Sequence, residues 1–145
     1  MSSDLLPPAD RRSIDPRRDQ FAQVAQLPTD QPVTMLNLLR YRAEADYSHA
    51  QELAPDEPIT GAEAYRRYGA AAMPHIEKTG AQVLFHGDGG PTVIGPDDEQ
   101  WDSMLLVRYP SPQAFLDMVT DPEYQSLSRH RTAALADSRL IATTV

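Results

Sequence analysis

Arg131 stands out first among the side chains able to hold charge or move a proton. In "DPEYQSLSRHRTAALADS", Tyr124, Leu127, Arg131 and Leu135 recur at three- and four-residue intervals, which puts a guanidinium on the inward stripe of a helix. A charge withdrawn from water is costly unless an anion meets it. That anion is either a protein carboxylate, with Asp102 and Asp137 as candidates, or a ligand. Asn37 poses a related question. It lies mid-strand among Met35, Leu36, Leu38 and Leu39, where an amide is disfavoured and must be hydrogen-bonded. It would polarise a substrate carbonyl, or else satisfy a bulge or a neighbouring side chain.

Tyr65 and Tyr68 fall on a helix whose inner face also carries Gly69, Ala72 and Ile76. Their rings would pack on a sheet with the hydroxyls reaching a cavity, or serve as plain core. His75 follows Pro74 at an expected kink, placed to act as a general base near neutral pH or to cap carbonyls that the kink frees. His86 ends a strand at the rim of the same region. The candidates for catalysis are therefore His75, Asn37 and Tyr68, and those for ligand binding are Arg131, Tyr65, Tyr124 and His86.

Other chemistries find little support. The chain has no cysteine, which removes thiolate nucleophiles, disulfides and thiolate metal sites. Its four histidines include no H-x-H, H-x-x-x-H or E-x-x-H pair, so no metal is expected, and no cofactor. "GDGG" reads as a hairpin turn, because no G-x-G-x-x-G joins a strand to a helix, and no G-x-S-x-G elbow is present. With 13 Lys and Arg against 21 Asp and Glu, the net charge of −8 repels phosphate backbones and anionic lipid, so neither nucleic acid nor membrane is an expected partner. The first residues lack the pattern of a secretory signal, and a cytoplasmic protein is expected.

The elements that must position these residues can be read from period and punctuation. Residues 1–13 read as a tail without fixed structure, followed by a short helix with Asp15 as cap and Pro16 in its first turn; residues 1–30 thus precede the domain proper. "VTMLNLLRYR" is a strand with apolar residues on both faces, and residues 43–59 form a long loop. A helix follows, with Thr60 and Glu63 as a capping box, Gly80 past its end, and Pro74 expected to kink or divide it. "AQVLFHG" and "QWDSMLLVRYP" are strands, with a short "TVIG" strand between them. Ser111–Pro112 and Asp121–Pro122 each open a helix, the second running through residue 138, and "RLIATTV" is the last strand.

This order, two split β-α-β units, predicts an α+β ferredoxin-like plait over residues 31–145, an antiparallel sheet with helices on one face. The strands are apolar on both faces, so the open face calls for a cover, most simply a second copy of the chain. The segments "VTMLNLLRYR", "GAEAYRRYGAAAMPHIEKTG", "WDSMLLVRYPSPQAF" and "DPEYQSLSRHRTAALADSRL" together resemble a bacterial family known as domain of unknown function number thirteen-thirty, over residues 32–144. The resemblance implies a homodimer of the dimeric α/β-barrel superfamily, whose wider members include cofactor-independent monooxygenases, small lactone isomerases and haem enzymes. The loop at residues 43–59 is longer than the family pattern. Three functions follow as expectations: a cofactor-independent enzyme, monooxygenase- or isomerase-like, acting on a small apolar or weakly acidic molecule; a non-catalytic small-ligand binder; or a structural homodimer.

Overall fold

The computed structural model describes residues 5–144. Strand β1 is Val33–Tyr41 and helix α2 is Gly61–Lys78, preceded in the chain by α1, Arg18–Val24; β2 is Gln82–Asp88 and β3 is Ser103–Tyr109. Three short helices follow, α3 (Pro112–Val119), α4 (Pro122–Leu127) and α5 (Arg129–Ala134), before the last strand β4, Leu135–Thr143. The sheet order is β2-β3-β1-β4 and every pairing is antiparallel, the ferredoxin-like arrangement of two interleaved split β-α-β units.

The register sorts the side chains into two faces. Asn37 stands opposite Leu105 and Leu140, and Met35 opposite Val107 and Ala142. With Val33, Leu39, Tyr109, Val83 and His86, these face the helices. Leu36 stands opposite both Leu106 and Ile141, and Leu106 opposite Phe85. One apolar row, Ile141–Leu36–Leu106–Phe85, therefore crosses all four strands on the face without helices. Phe85 and Ile141 remain about half exposed, at 53% and 47%.

Two clusters fill the helix side. Val33, Met35, Tyr68, Val107, Tyr109, Phe115, Met118 and Tyr124 make one; Leu39, Tyr47, Ala64, Ala133, Ala134 and Leu135 make the other. Burying a side chain such as Leu39 or Leu135 contributes roughly 1.5–3 kcal/mol each. At the second cluster three backbones close on one another: the Arg42 amide donates to the Ala134 carbonyl and the Gly61 amide to the Arg42 carbonyl. A Cβ on Gly61 would lie 2.3 Å from the Arg42 oxygen and 2.5 Å from that of Ala134, so only glycine fits.

Several expectations hold in detail. Thr60 accepts from the Glu63 amide at 3.1 Å, Ser111 from Ala114 at 3.1 Å and Asp121 from Glu123 at 2.8 Å. The capping box is only half closed, because the Glu63 carboxylate turns to Arg66 instead of reaching back. Gly80 has φ +85°, the left-handed residue past a helix end.

Others need correction. Pro74 does not divide helix α2, which continues to Lys78. "TVIG" pairs with nothing and is not a strand: the segment lies in the β2–β3 connection, where Val93 and Ile94 are 92% and 95% exposed. The last helix breaks after Leu127, and β4 begins at Leu135, not after Ser138, because pairing with β1 overrides the helix propensity of "AALA". Residues 9–11 form a 3-10 turn, so the described part of the N-terminal tail is structured, while residues 1–4 lie outside the described residues. Asp15 caps no helix; α1 starts later, behind Arg17, and the Asp15 carboxylate accepts from the Thr132 hydroxyl at 2.7 Å. The N-terminal arm is instead fastened to β4. Ser13 donates its amide to Asp137 at 2.9 Å and accepts from the Ser138 hydroxyl at 2.8 Å.

Candidate functional site

Between the helices and the sheet lies a chamber of about 620 Å³. Its walls are largely apolar, with Phe21, Met35, Ile76, Val107 and Phe115 among them, and six of the seven candidate site residues line it: Asn37, Tyr65, Tyr68, His86, Tyr124 and Arg131. His75 does not. On α2 it sits next to Ile76, which takes the inward position, and its Nε2 lies 3.7 Å from the Glu123 carboxylate, with the ring beside Tyr124. Sequence reading missed Tyr109, which also lines the chamber. The alternation Leu105, Val107, Tyr109 along β3 was the signal that would have found it.

Arg131 is held by neutral acceptors. Its Nη1 donates to the Ile14 carbonyl at 2.6 Å and its Nη2 to the Ser138 hydroxyl at 3.4 Å. Neither expected carboxylate serves it. Asp137 is buried and accepts from Arg139 at 2.7 Å and from the amides of Ser13 and Ser138; Asp102 accepts from the Tyr41 amide at 2.8 Å and lies near Arg40. Among the described residues no carboxylate lies within salt-bridge distance of Arg131. The arm supplies the first of its neutral acceptors through the Ile14 carbonyl, while Ser13 is bonded to Asp137 and Ser138.

The tyrosines form a ring-on-ring chain. Tyr41 packs on Tyr65 with centroids 5.5 Å apart, Tyr65 on Tyr68 at 5.2 Å, and Tyr68 on Tyr124 at 6.4 Å. The hydroxyls of Tyr68 and Tyr124 are bonded to each other at 2.6 Å. Burial pushes the phenols of Tyr65, Tyr68, Tyr109 and Tyr124 above their ordinary value, and the nearby charge of Arg131 eases the rise for Tyr65, Tyr68 and Tyr124. These groups therefore keep their protons near neutral pH and act as hydrogen-bond donors. Asn37 spends its amide nitrogen on the carbonyls of Met35 and Leu105, at 3.3 and 3.4 Å, and leaves its oxygen without a partner among the described residues.

Away from the chamber, the loop of residues 43–59 closes over α5. The Tyr47 hydroxyl lies 2.8 Å from His130 Nδ1, and Glu52 pairs with Arg129. His130 is thus half-buried under that loop. Burial, with Arg67 and Arg129 nearby, lowers its pKa. Among the described residues no group of three His, Asp or Glu is placed to hold a metal ion, and no helix is long and apolar enough to cross a membrane.

The fold and site define an α+β ferredoxin-like domain with an apolar, phenol-lined chamber under its helices. A family model matches residues 56–145, and the chain belongs to that family, Domain of unknown function (DUF1330). Two crystal structures of one bacterial protein are similar over nearly the whole length. The RPA0582 protein of unknown function from Rhodopseudomonas palustris is 41% identical, covers 92% of this chain and 97% of its own, and superposes with a TM-score of 0.81. Its methylated form is 40% identical, with 92% and 95% covered and a TM-score of 0.83. A dimeric protein of unknown function and ferredoxin-like fold from Bacteroides fragilis is 12% identical over 81% of this chain and 100% of its own, with a TM-score of 0.48. No curated protein matches the chain significantly.

Proposed function

We propose that the chain works as a homodimer whose chamber binds a small, largely apolar molecule bearing an acidic or carbonyl oxygen, and transforms it without a bound cofactor. One observation carries this reading. A cavity of about 620 Å³ joins an apolar wall to buried phenols, an unpartnered Asn37 oxygen and a guanidinium that meets no carboxylate among the described residues. Small-molecule sites span roughly 300–1,000 Å³ and combine apolar walls with a few convergent polar groups. A purely structural role for these polar residues would not call for such a space.

In this reading Asn37 and Tyr68 hold a carbonyl or phenolic oxygen, and Arg131 balances negative charge on the molecule. A phenol that keeps its proton stabilises a developing enolate or phenolate by donating to it. His75 is outside the lining, so His86 is the histidine in place to move a proton. The absence of His75 from the chamber also favours a second reading, in which the molecule is bound and released unchanged.

Gly69 supplies the test. It lines the chamber in the middle of α2, and a Cβ there would meet nothing within 4 Å. Gly69→Phe fills the space without a clash at its first atom. A panel of small aromatic and branched acids, phenols and ketones is screened by thermal shift, and the mixtures are followed by mass spectrometry. Stabilisation that disappears in Gly69→Phe supports the chamber, and product formed at a rate reduced by Asn37→Ala and Tyr68→Phe supports turnover. Product formed at the wild-type rate in both variants removes the assigned roles; binding without product decides for the second reading.

The homodimer rests on the outer face of the sheet. The row Ile141–Leu36–Leu106–Phe85 is continuous across all four strands, with Leu38 and Met104 beside it. A stripe of that kind left in water invites association, and a second sheet laid on it buries both. Leu106→Asp sets a charge in the centre of the row. Sedimentation equilibrium should give a dimer for the wild type and a folded monomer for the variant; a wild type that stays monomeric at micromolar concentration sinks the assembly.

A further inference from the structure

We infer that the chamber selects monocarboxylates with an apolar, ring-sized body, the carboxylate bound by Arg131 and the Tyr65 hydroxyl and the body lying in the space left open at Gly69. This rests on the proposed binding function and narrows it to one ligand class.

Four observations converge on it. The chain carries 21 acidic residues against 13 basic ones, so carboxylates are plentiful. Arg40, Arg66, Arg129 and Arg139 each find one. Arg131, half-buried at the chamber wall, meets only a backbone carbonyl and a hydroxyl, and its Nε has no partner among the described residues. A guanidinium offers a planar fork of donors that matches a carboxylate in two parallel bonds.

The charge count in the chamber then sets the number of negative charges. The other arginine of the lining, Arg139, is already paired with Asp137 and Glu99, at 2.7 and 3.0 Å. Asp15, also in the lining, is engaged by Thr132. Thr132 is neutral, so Asp15 keeps its negative charge. The lining therefore offers a ligand no more than the single positive charge of Arg131, and a phosphate or dicarboxylate would bring a second negative charge with nothing to meet it.

The Tyr65 hydroxyl has no hydrogen-bond partner among the described residues, and it lies close enough to Arg131 to feel its charge. Held in its neutral form, it can only gain by donating to an anion. Lastly, glycine in mid-helix is unfavourable compared with alanine, so its presence at residue 69, facing the chamber with open space beyond, has a use if a ligand body occupies that space. Phe21, Ile76, Val107 and Phe115 make the surroundings of that body apolar.

The test compares acids with their neutral counterparts. Benzoate, phenylacetate and 3-phenylpropionate are titrated calorimetrically into the full chain at pH 7.5, each beside its primary amide. At least one acid should bind roughly tenfold to hundredfold more tightly than its amide, the span of a charge-assisted bond. Arg131→Gln should erase that gap, weakening the acid far more than it weakens the amide. Arg131→Lys, which keeps the charge and loses the fork, should fall between, and it stands in if the glutamine variant does not fold. An acid no tighter than its amide, or a gap that survives in Arg131→Gln, overturns the carboxylate assignment while binding abolished by Gly69→Phe keeps the chamber. Neither acids nor amides binding at millimolar concentration overturns both.

Discussion

Replacing Tyr68 by phenylalanine removes one oxygen from a pair of hydroxyls 2.6 Å apart and leaves the ring in place. Both residues are buried, with 8% and 9% of their surface exposed. A hydrogen bond between neutral groups contributes about 0.5–1.5 kcal/mol net, and stranding a buried partner costs about 1–3 kcal/mol. Tyr68→Phe should therefore lower stability by about 1–2 kcal/mol, nearer the upper end if the Tyr124 hydroxyl finds no water. In a chain of this size each kcal/mol moves Tm by about 2–4 °C. Tyr124→Phe should cost a similar amount for the mirrored reason. The double variant is the decisive one, since it strands nothing: its cost should be close to that of either single change, giving a coupling of about 1–2 kcal/mol. Urea unfolding of all four proteins, followed by circular dichroism at one protein concentration, measures the cycle. Additivity within about 0.3–0.5 kcal/mol would show that each hydroxyl is satisfied separately by water in the chamber. The picture of a mutually bonded pair closing the polar end would then be wrong.

Three further outcomes follow from the same geometry. Gly61→Ala should be strongly destabilising, by more than about 2 kcal/mol, although alanine is the better helix former, because its Cβ would meet two backbone oxygens within 2.6 Å; a Tm equal to wild type refutes the close approach. Gly69→Ala should do the opposite and raise stability by about 0.5–1 kcal/mol, since its Cβ enters open space; a loss of stability would mean the space is not there. His130, whose pKa is lowered from 6.5 by burial and by Arg67 and Arg129, binds its proton more readily unfolded than folded. Its contribution is therefore present above pH 6.5 and lost as pH falls through the lower, folded value. Tm measured between pH 5 and 7.5 should decline more steeply on acidification for wild type than for His130→Gln, and parallel curves count against the burial.

Much of the scaffold was legible because local signals agreed with the tertiary result. The alternation in "VTMLNLLRY" and "SMLLVRY", the caps at Thr60, Ser111 and Asp121, and the prolines after two of them describe elements that form as written. Where long-range contacts decide, the sequence misled. Val93 and Ile94 have strand propensity but no neighbouring strand to pair with. "AALADS" has helix propensity, yet Leu135–Ser138 pairs with β1. The inward turn of Arg131 could be read from helical spacing, but its partner could not. That partner is the backbone of residue 14, brought 117 residues along the chain by an arm whose own composition reads as loose. His75 shows the limit of counting by threes and fours: one residue of rotation separates the chamber wall at Ile76 from the surface at Glu123.

The seam at Gly61 bears on which ligands the chamber can tolerate. Tyr65 lies one helical turn from it along α2, and Arg131 one turn before Ala134 along α5, so both polar groups are mounted close to a seam where backbones meet without room for a side chain. Met73 and Val83 also line the chamber, and both are nearly half in solvent, at 40% and 45%. Homologous chains that keep the seam but change those two residues could therefore accept bodies of different length while reading the same head group.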